Sequence, residues 1–243
     1  MRYNGKDPDM IHKAVKRGTE YQPELLRDIH TIETSAGMVI AYAREEASEY
    51  TAEINIHGRS MAEAQEALDA VRRWAVGSGG IDQLEPTHSP GRVYDAIFQS
   101  LTPPEWKGKG TGTCQVRWML ANPYKRSVTE SKARNTAGYE LSLWVNGTAK
   151  TDMVIEVTPK ENAEQLEITL DGEVFFVRTL PTAAGETLKI DMARESVTVD
   201  GANAAASTDW TKTNYDSPLT HGRHVIECSN LAEITVRWYD RWA

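Results

Sequence analysis

His221 and His224 are the residues whose type and spacing come nearest to a metal site. A His-x-x-His pair can bind zinc when further ligands lie close by. The surrounding residues favour an extended segment, in which an odd spacing sends the two rings to opposite faces, and no third ligand follows at a familiar interval. The remaining histidines are scattered along the chain: His12, His30, His57 and His88. The sequence therefore predicts no metal site.

Three glutamates could supply the pair of carboxylates that a glycoside hydrolase on a β-sandwich needs, namely Glu156, Glu167 and Glu173. Each alternates with apolar neighbours in a strand-like stretch, which is the usual pattern of positions that face solvent. We favour a structural role for all three. A hydrolase stays open as an alternative that requires two of these carboxylates to face one cleft.

Other short motifs also have structural explanations. Gly108–Gly112 is glycine-rich but lacks the Gly-Lys-Ser/Thr ending of a phosphate loop and precedes a strand, so we predict a flexible hairpin loop. Asn146-Gly147-Thr148 has the form of a glycosylation sequon, but without a secretory signal we predict a hairpin turn. Cys114 and Cys228 lie in apolar alternation and are predicted to be small buried side chains, not a disulfide. We predict no catalytic, cofactor-binding or metal-binding residue, and no enzyme activity.

Trp210 stands apart because it lies in a long polar loop, Asn203–Ser217. An aromatic ring on such a loop could stack on a sugar, as in lectin-like modules, or anchor the loop to its own or a neighbouring subunit. We favour the anchor. A lectin-like carbohydrate-binding module remains the alternative function.

Composition narrows the class of protein. The chain has 243 residues, 40% hydrophobic and 26% charged, with a mean hydropathy of -0.51, values typical of a soluble globular protein large enough for two domains. Its net charge of -8 disfavours nucleic acid as a specific partner. The polar start Met1–Met10 does not resemble a signal peptide, and the two cysteines fit a reducing compartment, so we expect folding in the cytoplasm.

The first half is predicted to be a β domain with one helix. Strands are expected at Met38–Ala43 and Tyr50–Ile56, where apolar and polar residues alternate. Ser60 and Glu63 form a capping box before an apolar stripe that ends at Gly77, which predicts a helix over residues 60–76. Two further strands are expected at Val93–Leu101 and Thr113–Leu120. The polar segment Lys125–Ala137 has no periodicity and is predicted to be an exposed linker at the domain boundary.

The second half is predicted to be a β-sandwich of roughly 100 residues, because short alternating strands recur between turn residues. A hairpin is expected around Asp171-Gly172, and Lys189–Asp191 is expected to pair with Ser196–Val199. The last strands are expected at His224–Cys228 and Glu233–Trp238. The predicted fold class is therefore mainly β with two domains.

Local patterns spread from end to end resemble one known family. The segments that carry this resemblance are Tyr3–Pro8, Gly37-Met38, Arg59–Ala75, Thr87–Ala96, Leu120–Tyr124, Leu166–Gly172, Ile190-Asp191, Val199–Gly201, Ser217–Glu227 and Ile234–Trp242. In this order they are similar to the distal tail proteins (Dit) of long-tailed siphophages and related prophages. Two departures stand out: Thr220–His224 lacks the Pro-Gly-x-Asn turn frequent in similar proteins, and the chain has no large insertion that could house a carbohydrate-binding module.

The resemblance implies an N-terminal ring-forming β domain over residues 1–125 and a galectin-like β-sandwich over residues 138–232, with residues 233–243 returning to the N-terminal domain. It also implies a homohexameric ring in the virion tail tip or baseplate, through whose channel DNA passes. The implied partners are other copies of the chain, the tail tube protein, the tail-tip hub and receptor-binding proteins. We expect the weakly periodic stretch Ile11–Met38 to form extended segments or a hairpin that reaches across the subunit interface.

Overall fold

The computed structural model describes residues 1–23, 26–34, 37–46, 48–215 and 218–243, with the backbone alone described for residues 26–46. These residues form two compact units, 1–126 with Ala243, and 127–242. Both are built mainly of β-strands and a single long helix occurs, so the predicted fold class is confirmed. Within the described ranges, no helix is both long and apolar enough to cross a membrane.

The first unit contains one α-helix, α1 (Met61–Val76), and one 3-10 turn, Pro8–Met10. Its strands are β1 (Arg2–Tyr3), β2 (Val15–Tyr21), β3 (Leu26–Thr34), β4 (Gly37–Glu46), β5 (Glu49–His57), β6 (Asp82–Glu85), β7 (Arg92–Leu101), β8 (Glu105–Gly108), β9 (Thr111–Leu120) and β10 (Lys125–Ser127), which ends at the boundary. The main sheet has the order β1-β6-β7-β9-β5-β2, and β8 pairs with β9. Strands β3 and β4 form a two-stranded sheet of their own.

The predicted alternation of apolar and polar residues in β5 and β9 decides which face of the main sheet is covered by helix α1. Tyr50, Ala52, Ile54 and Ile56 of β5 are buried, and their partners on β9 are buried with them. Helix α1 packs on that face with the apolar stripe that the sequence indicates, ending in Trp74 and Ala75. Ser60 accepts the N–H of Glu63 at 3.2 Å, so the predicted cap is confirmed.

Four aromatic rings form the centre of this core. The rings of Trp74 and Trp118 meet edge to face at 5.6 Å, and Tyr3 lies 5.3 Å from Trp118. Tyr50 approaches Trp118 from the other side at 6.4 Å. Large rings in such arrangements bury much apolar area and add about 0.5–1.5 kcal/mol per pair beyond that burial. Part of the high Trp and Tyr content therefore serves the core.

The second unit is a β-sandwich with one long central strand. Its strands are β11 (Ser131–Val145), β12 (Met153–Pro159), β13 (Leu166–Leu170), β14 (Glu173–Arg178), β15 (Leu188–Asp191), β16 (Ser196–Val199), β17 (Ala202–Asn203), β18 (Gly222–Trp238) and β19 (Arg241–Trp242), with a 3-10 turn at Ala205–Ser207. The order is β14-β13-β18-β12-β15-β16-β17, and β11 pairs with the other edge of β18. The predicted pairings β13–β14 and β15–β16 are both confirmed.

Strand β18 replaces the two separate strands expected at the end of the chain. Its first half pairs with β13 and its second half with β12, while β11 follows both halves. The polar residues Ser229 and Asn230, which look like a break in the sequence, lie where the partner changes. Glu233–Trp238 pair with β11 and β12. The return of residues 233–243 to the N-terminal domain stays a prediction.

The interval Lys125–Ala137 is not the exposed linker that its polarity predicts. Lys125–Ser127 form β10, and Arg126 makes two hydrogen bonds to Asp95, at 2.8 and 2.7 Å. Ser131 begins the 15-residue strand β11. This strand has a neighbour on one side, β18, and edge strands tolerate charged residues because much of their surface stays in water. The sequence lacked apolar periodicity for this reason.

Asn146-Gly147 is not the predicted hairpin turn, because the strands on either side of it pair with β18 instead of with each other. A Cβ atom at Gly147 would lie 2.3 Å from the backbone oxygen of Arg241. The glycine is therefore required for close backbone approach. The turn at Asp171-Gly172 does have the expected form, with φ of 52° and 85°.

Gly110 offers a test of the packing between the β8–β9 turn and the start of α1. It has φ +87°, and a Cβ atom there would lie 2.5 Å from the backbone oxygen of Gly58. We expect Gly110→Ala to lower the free energy of unfolding by at least about 2 kcal/mol. Gly79→Ala is the matched control, since Gly79 has φ +82° but open space around it. Urea unfolding followed by tryptophan fluorescence measures both; equal losses would contradict the packing argument.

Candidate assembly surfaces

The structure separates the two histidines of the His-x-x-His motif. His224 is buried, with Nδ1 2.7 Å from Oδ2 of Asp171 and Nε2 2.9 Å from the backbone oxygen of Thr220. His221 is exposed on the other side, against the ring of Trp144. Among the described residues, no group of three or more His, Cys, Asp or Glu side chains could hold a metal ion. His224 thus has a structural role at the Asp171-Gly172 turn, whose Asp171 also accepts the N–H of Val225 at 2.8 Å.

The candidate carboxylates do not meet in a cleft. Glu156 on β12 forms an ion pair with Arg237, and Glu173 is exposed at the start of β14. Strand β14 pairs with β13, whereas β12 pairs with β15 and with the second half of β18, so the strands that hold the two carboxylates are not paired with each other. Retaining and inverting glycosidases need separations of about 5–10 Å. Glu167 is half-buried on β13, where its N–H donates to Ser229. The hydrolase alternative therefore has no geometric support.

The cysteines and the glycine-rich segment behave as small packing residues. Cys114 and Cys228 are free and buried, and burial raises the pKa of the Cys114 thiol to about 11. Burial also raises the pKa of Cys228. A protonated buried thiol is a poor nucleophile. Within Gly108–Gly112, residues 109 and 110 turn from β8 into β9 as predicted, and the oxygen of Gly110 accepts the N–H of Gly58 at 2.7 Å.

Trp210 is anchored to its own loop. Its indole N–H donates to the backbone oxygen of Ala205 at 3.1 Å, and its ring lies 5.9 Å from that of Tyr215. The side chain remains half exposed. These contacts support the anchoring interpretation over sugar stacking, because both hold the loop to itself.

A buried carboxylate organises one end of the sheet in the first unit. A β-bulge in β2 between Arg17 and Glu20 turns the Glu20 side chain toward Tyr50, whose hydroxyl donates to it at 2.6 Å. The Met1 ammonium donates to Glu20 at 2.8 Å. The N–H and hydroxyl of Thr87 donate at 3.0 and 2.6 Å. Glu20 thus ties β2 to three separate parts of the unit.

The charge of Glu20 is strongly favoured in the folded protein. Burial by itself would raise the pKa of its carboxyl group, but the hydrogen bonds from Met1, Thr87 and Tyr50 outweigh burial and lower that pKa to about 2. Burial, reinforced by the bond to Glu20, raises the pKa of Tyr50. Arg17 completes this end of β2 through Asp7, at 2.5 Å, and Thr87, at 2.6 Å. The strand that leads into the β3–β4 hairpin is therefore held firmly.

Comparison with protein families bears on the second unit. Residues 146–242 match the family model described as siphovirus-type tail component, C-terminal domain. These 97 residues, fewer than half of the chain, are similar to that C-terminal domain. No curated protein matches the chain.

Solved structures extend the similarity beyond the tail-component domain. The chain resembles the crystal structure of the Dit protein of phage SPP1, described as a paradigm of the hub adsorption apparatus in phages that infect Gram-positive bacteria. The TM-score is 0.78 at 12% identity, covering 100% of this chain and 98% of that one. Two structures of the activated phage P2 baseplate, one with Ca and one with Sr, each match at a TM-score of 0.47. The sequence identities are 12% and 13%, and the matches cover 93% and 92% of this chain and 90% of each baseplate chain. The resemblance to distal tail proteins that the sequence motifs indicated is confirmed.

One surface of the second unit was missed by the sequence analysis. Trp144 is 56% exposed on β11, and it lies beside His221 and Arg223. The alternation that places Leu141, Leu143 and Val145 inside also places Trp144 outside. That signal was present in the sequence, but the two neighbours come from β18 and its preceding turn, more than 70 residues away.

The Glu20 cluster predicts a pH-dependent stability. Because the folded pKa of Glu20 lies below the ordinary value of 4.5, its carboxylate stabilises the fold fully above about pH 4.5, and that stabilisation fades as the pH falls toward 2. We expect Glu20→Gln to lower the free energy of unfolding by about 2–3 kcal/mol at pH 7, and the difference from the unmodified protein to shrink at pH 3.

Urea unfolding of the full chain at both pH values measures this difference. Glu49→Gln, an exposed position on the neighbouring strand β5, is the control and is expected to change stability by less than about 0.5 kcal/mol. A Glu20→Gln loss that is the same at pH 3 and pH 7 would show that the charge of Glu20 is not the stabilising feature.

Proposed function

We propose that this chain is a structural, non-enzymatic protein of a siphophage tail, and that six copies form a ring joining the tail tube to the tail-tip hub or baseplate. The observation that carries this proposal is the match of residues 146–242 to the C-terminal domain of siphovirus-type tail components. The full-length fold shared with the SPP1 Dit protein is consistent with it, because the match leaves no large part of either chain uncovered. In this proposal, the N-terminal unit forms the ring and the galectin-like sandwich faces outward.

The β3–β4 hairpin supports a role for the first unit in ring formation. Strands of nine and ten residues pair only with each other among the described strands. A two-stranded hairpin is marginally stable in water unless it packs against something else. A neighbouring copy would supply that surface, and closed rotational symmetry would keep the exposed strand edges from extending into fibres.

The position of the hairpin in the chain fits an arm. Tyr21 at the end of β2 is the direct partner of Thr51 near the start of β5, so the two strands close on each other without the hairpin. The Glu20 cluster holds that junction in place from inside the unit. An arm that must transmit force between subunits benefits from such a rigid base.

The acidic balance of the chain suits a ring that DNA crosses. A net charge of -8 per copy would repel phosphate wherever it reaches the channel. The expected partners are the tube protein, the hub and receptor-binding proteins, at the tail tip of the virion. No cofactor is needed for such a role.

Removal of the hairpin tests the ring assignment. Deleting Leu26–Glu46 leaves Tyr21 and Thr51 paired at the end of the sheet, so the first unit is expected to fold. Native mass spectrometry of the full chain should show a species of six times 27.1 kDa, and negative-stain images should show a six-fold ring. The deletion variant should remain monomeric with unchanged far-ultraviolet circular dichroism per residue.

Leu180→Ser serves as the control, because Leu180 is an exposed apolar residue of the second unit with no assigned part in the ring. It should assemble like the unmodified chain. A ring formed equally well by the deletion variant would contradict the role of the hairpin. A chain that remains monomeric even with purified tube protein and hub would contradict the proposed function.

A further inference from the structure

An exposed aromatic platform lies on the outer face of the second unit. Trp144 on β11 is directly paired with Arg223 on β18, so both side chains leave the same face of the sheet. The ring of Trp144 is 56% exposed, the largest exposure of any tryptophan in the described chain. The imidazole of His221 meets it edge to face, with centroids 6.2 Å apart and planes at 81°.

Two contacts give the platform a defined structure. The imidazole of His221 packs edge to face with the indole, and on the same face of the sheet the Arg223 Nε donates to the hydroxyl of Ser142 at 2.9 Å. The core beneath does not need the Trp144 ring, because Leu143 and Val145 already fill it. A side chain that is fixed before binding loses little conformational freedom when a ligand arrives.

The side chains around Trp144 are mostly polar, and their net charge is close to zero or negative. The next row of the same face contains Ser142 and Val225, and the row beyond it contains Glu140 and Glu227, with the Thr169 hydroxyl donating to Glu227 at 3.0 Å. One cation, Arg223, therefore lies beside a hydroxyl group, with two carboxylates further along the same face. This balance disfavours phosphate groups, which require an excess of positive charge. It suits a neutral ligand with many hydroxyl groups.

We propose that Trp144, Arg223, His221 and Ser142 form a binding site for neutral pyranose sugars, such as those of a cell-surface polysaccharide. The C–H face of a pyranose ring packs on the indole, while donors from Arg223 and the hydroxyl of Ser142 meet the hydroxyl groups at its edge. The site is open and shallow, so a single sugar binds with a dissociation constant on the order of 1–10 mM. Repetition of the site in an assembly would raise the avidity for a polymer. The site itself does not depend on ring formation.

Trp210 provides a matched control, since it is 51% exposed in the same domain. Its indole N–H is already used by Ala205, and its ring packs on Tyr215. A sugar that merely associates with any exposed tryptophan would affect both residues. A sugar that binds a specific site at Trp144 would affect Trp144 and not Trp210.

Fluorine NMR of the full chain labelled with 5-fluorotryptophan tests the proposal. The probes are the methyl pyranosides of galactose, glucose, N-acetylglucosamine and rhamnose, each titrated to 50 mM. The resonance that disappears in Trp144→Phe identifies Trp144. We expect at least one sugar to shift that resonance saturably and to leave the Trp210 resonance unchanged.

Variants separate binding from folding. Trp144→Ala should reduce the affinity, measured by saturation-transfer NMR on the sugar, at least tenfold, whereas Trp144→Phe keeps an aromatic face and should lose only a few-fold. Arg223→Gln should weaken binding without moving the Trp210 resonance, and Trp210→Ala should leave affinity unchanged.

The absence of a saturable shift at Trp144 with all four sugars would overturn the proposal. That result is expected if this face binds a protein partner instead of a sugar. Equal binding by Trp144→Ala would overturn it too. Neither of these two binding results tests whether the chain forms a ring.

Discussion

The backbone hydrogen bonds of strand β18 hold the second unit together. This 17-residue strand pairs in both its halves with β11, and on its other edge with β13 and then β12. Because buried backbone groups must be paired, a change in the path of β18 would leave partners in three strands unsatisfied. The same strand contributes six buried side chains to the core: Ile226, Cys228, Ala232, Ile234, Val236 and Trp238. Sheet pairing and core packing thus depend on one continuous segment.

Polar contacts at the ends of that strand fix the loops around it. At one end, buried His224 and the N–H of Val225 both contact Asp171, which fixes the tight turn between β13 and β14. At the other end, Asp240 accepts the indole N–H of Trp238 at 3.1 Å and the N–H of Asn146 at 3.0 Å. These contacts hold the loops at both ends of β18 within the second unit.

The first unit differs from the second in that it carries the β3–β4 hairpin, which in the described part of the chain does not pair with its main sheet. Apolar burial of α1 on the sheet makes the body of the unit, and the aromatic cluster around Trp118 fills its centre. Glu20 then fixes β2 at the point where the chain leaves for β3. A buried carboxylate costs less here than in an apolar site, because four hydrogen bonds compensate its loss of water. The two units therefore combine stable cores with surfaces suited to contact.

The sequence by itself determined the local elements with strong periodicity or turn chemistry: the capped helix α1, the alternating strands β5 and β9, and the hairpins at Asp171-Gly172 and between β15 and β16. It also determined that the cysteines are buried and that His221 and His224 face apart. It did not determine β11 or the unity of β18, because edge strands and a strand that changes partners carry no regular apolar pattern. Gly147 was misassigned for a related reason: its requirement for glycine comes from Arg241, distant in the chain. Only the tertiary structure decided the Glu20 cluster and the Trp144 platform, since each joins residues more than 60 positions apart, and such contacts leave no signal in local spacing.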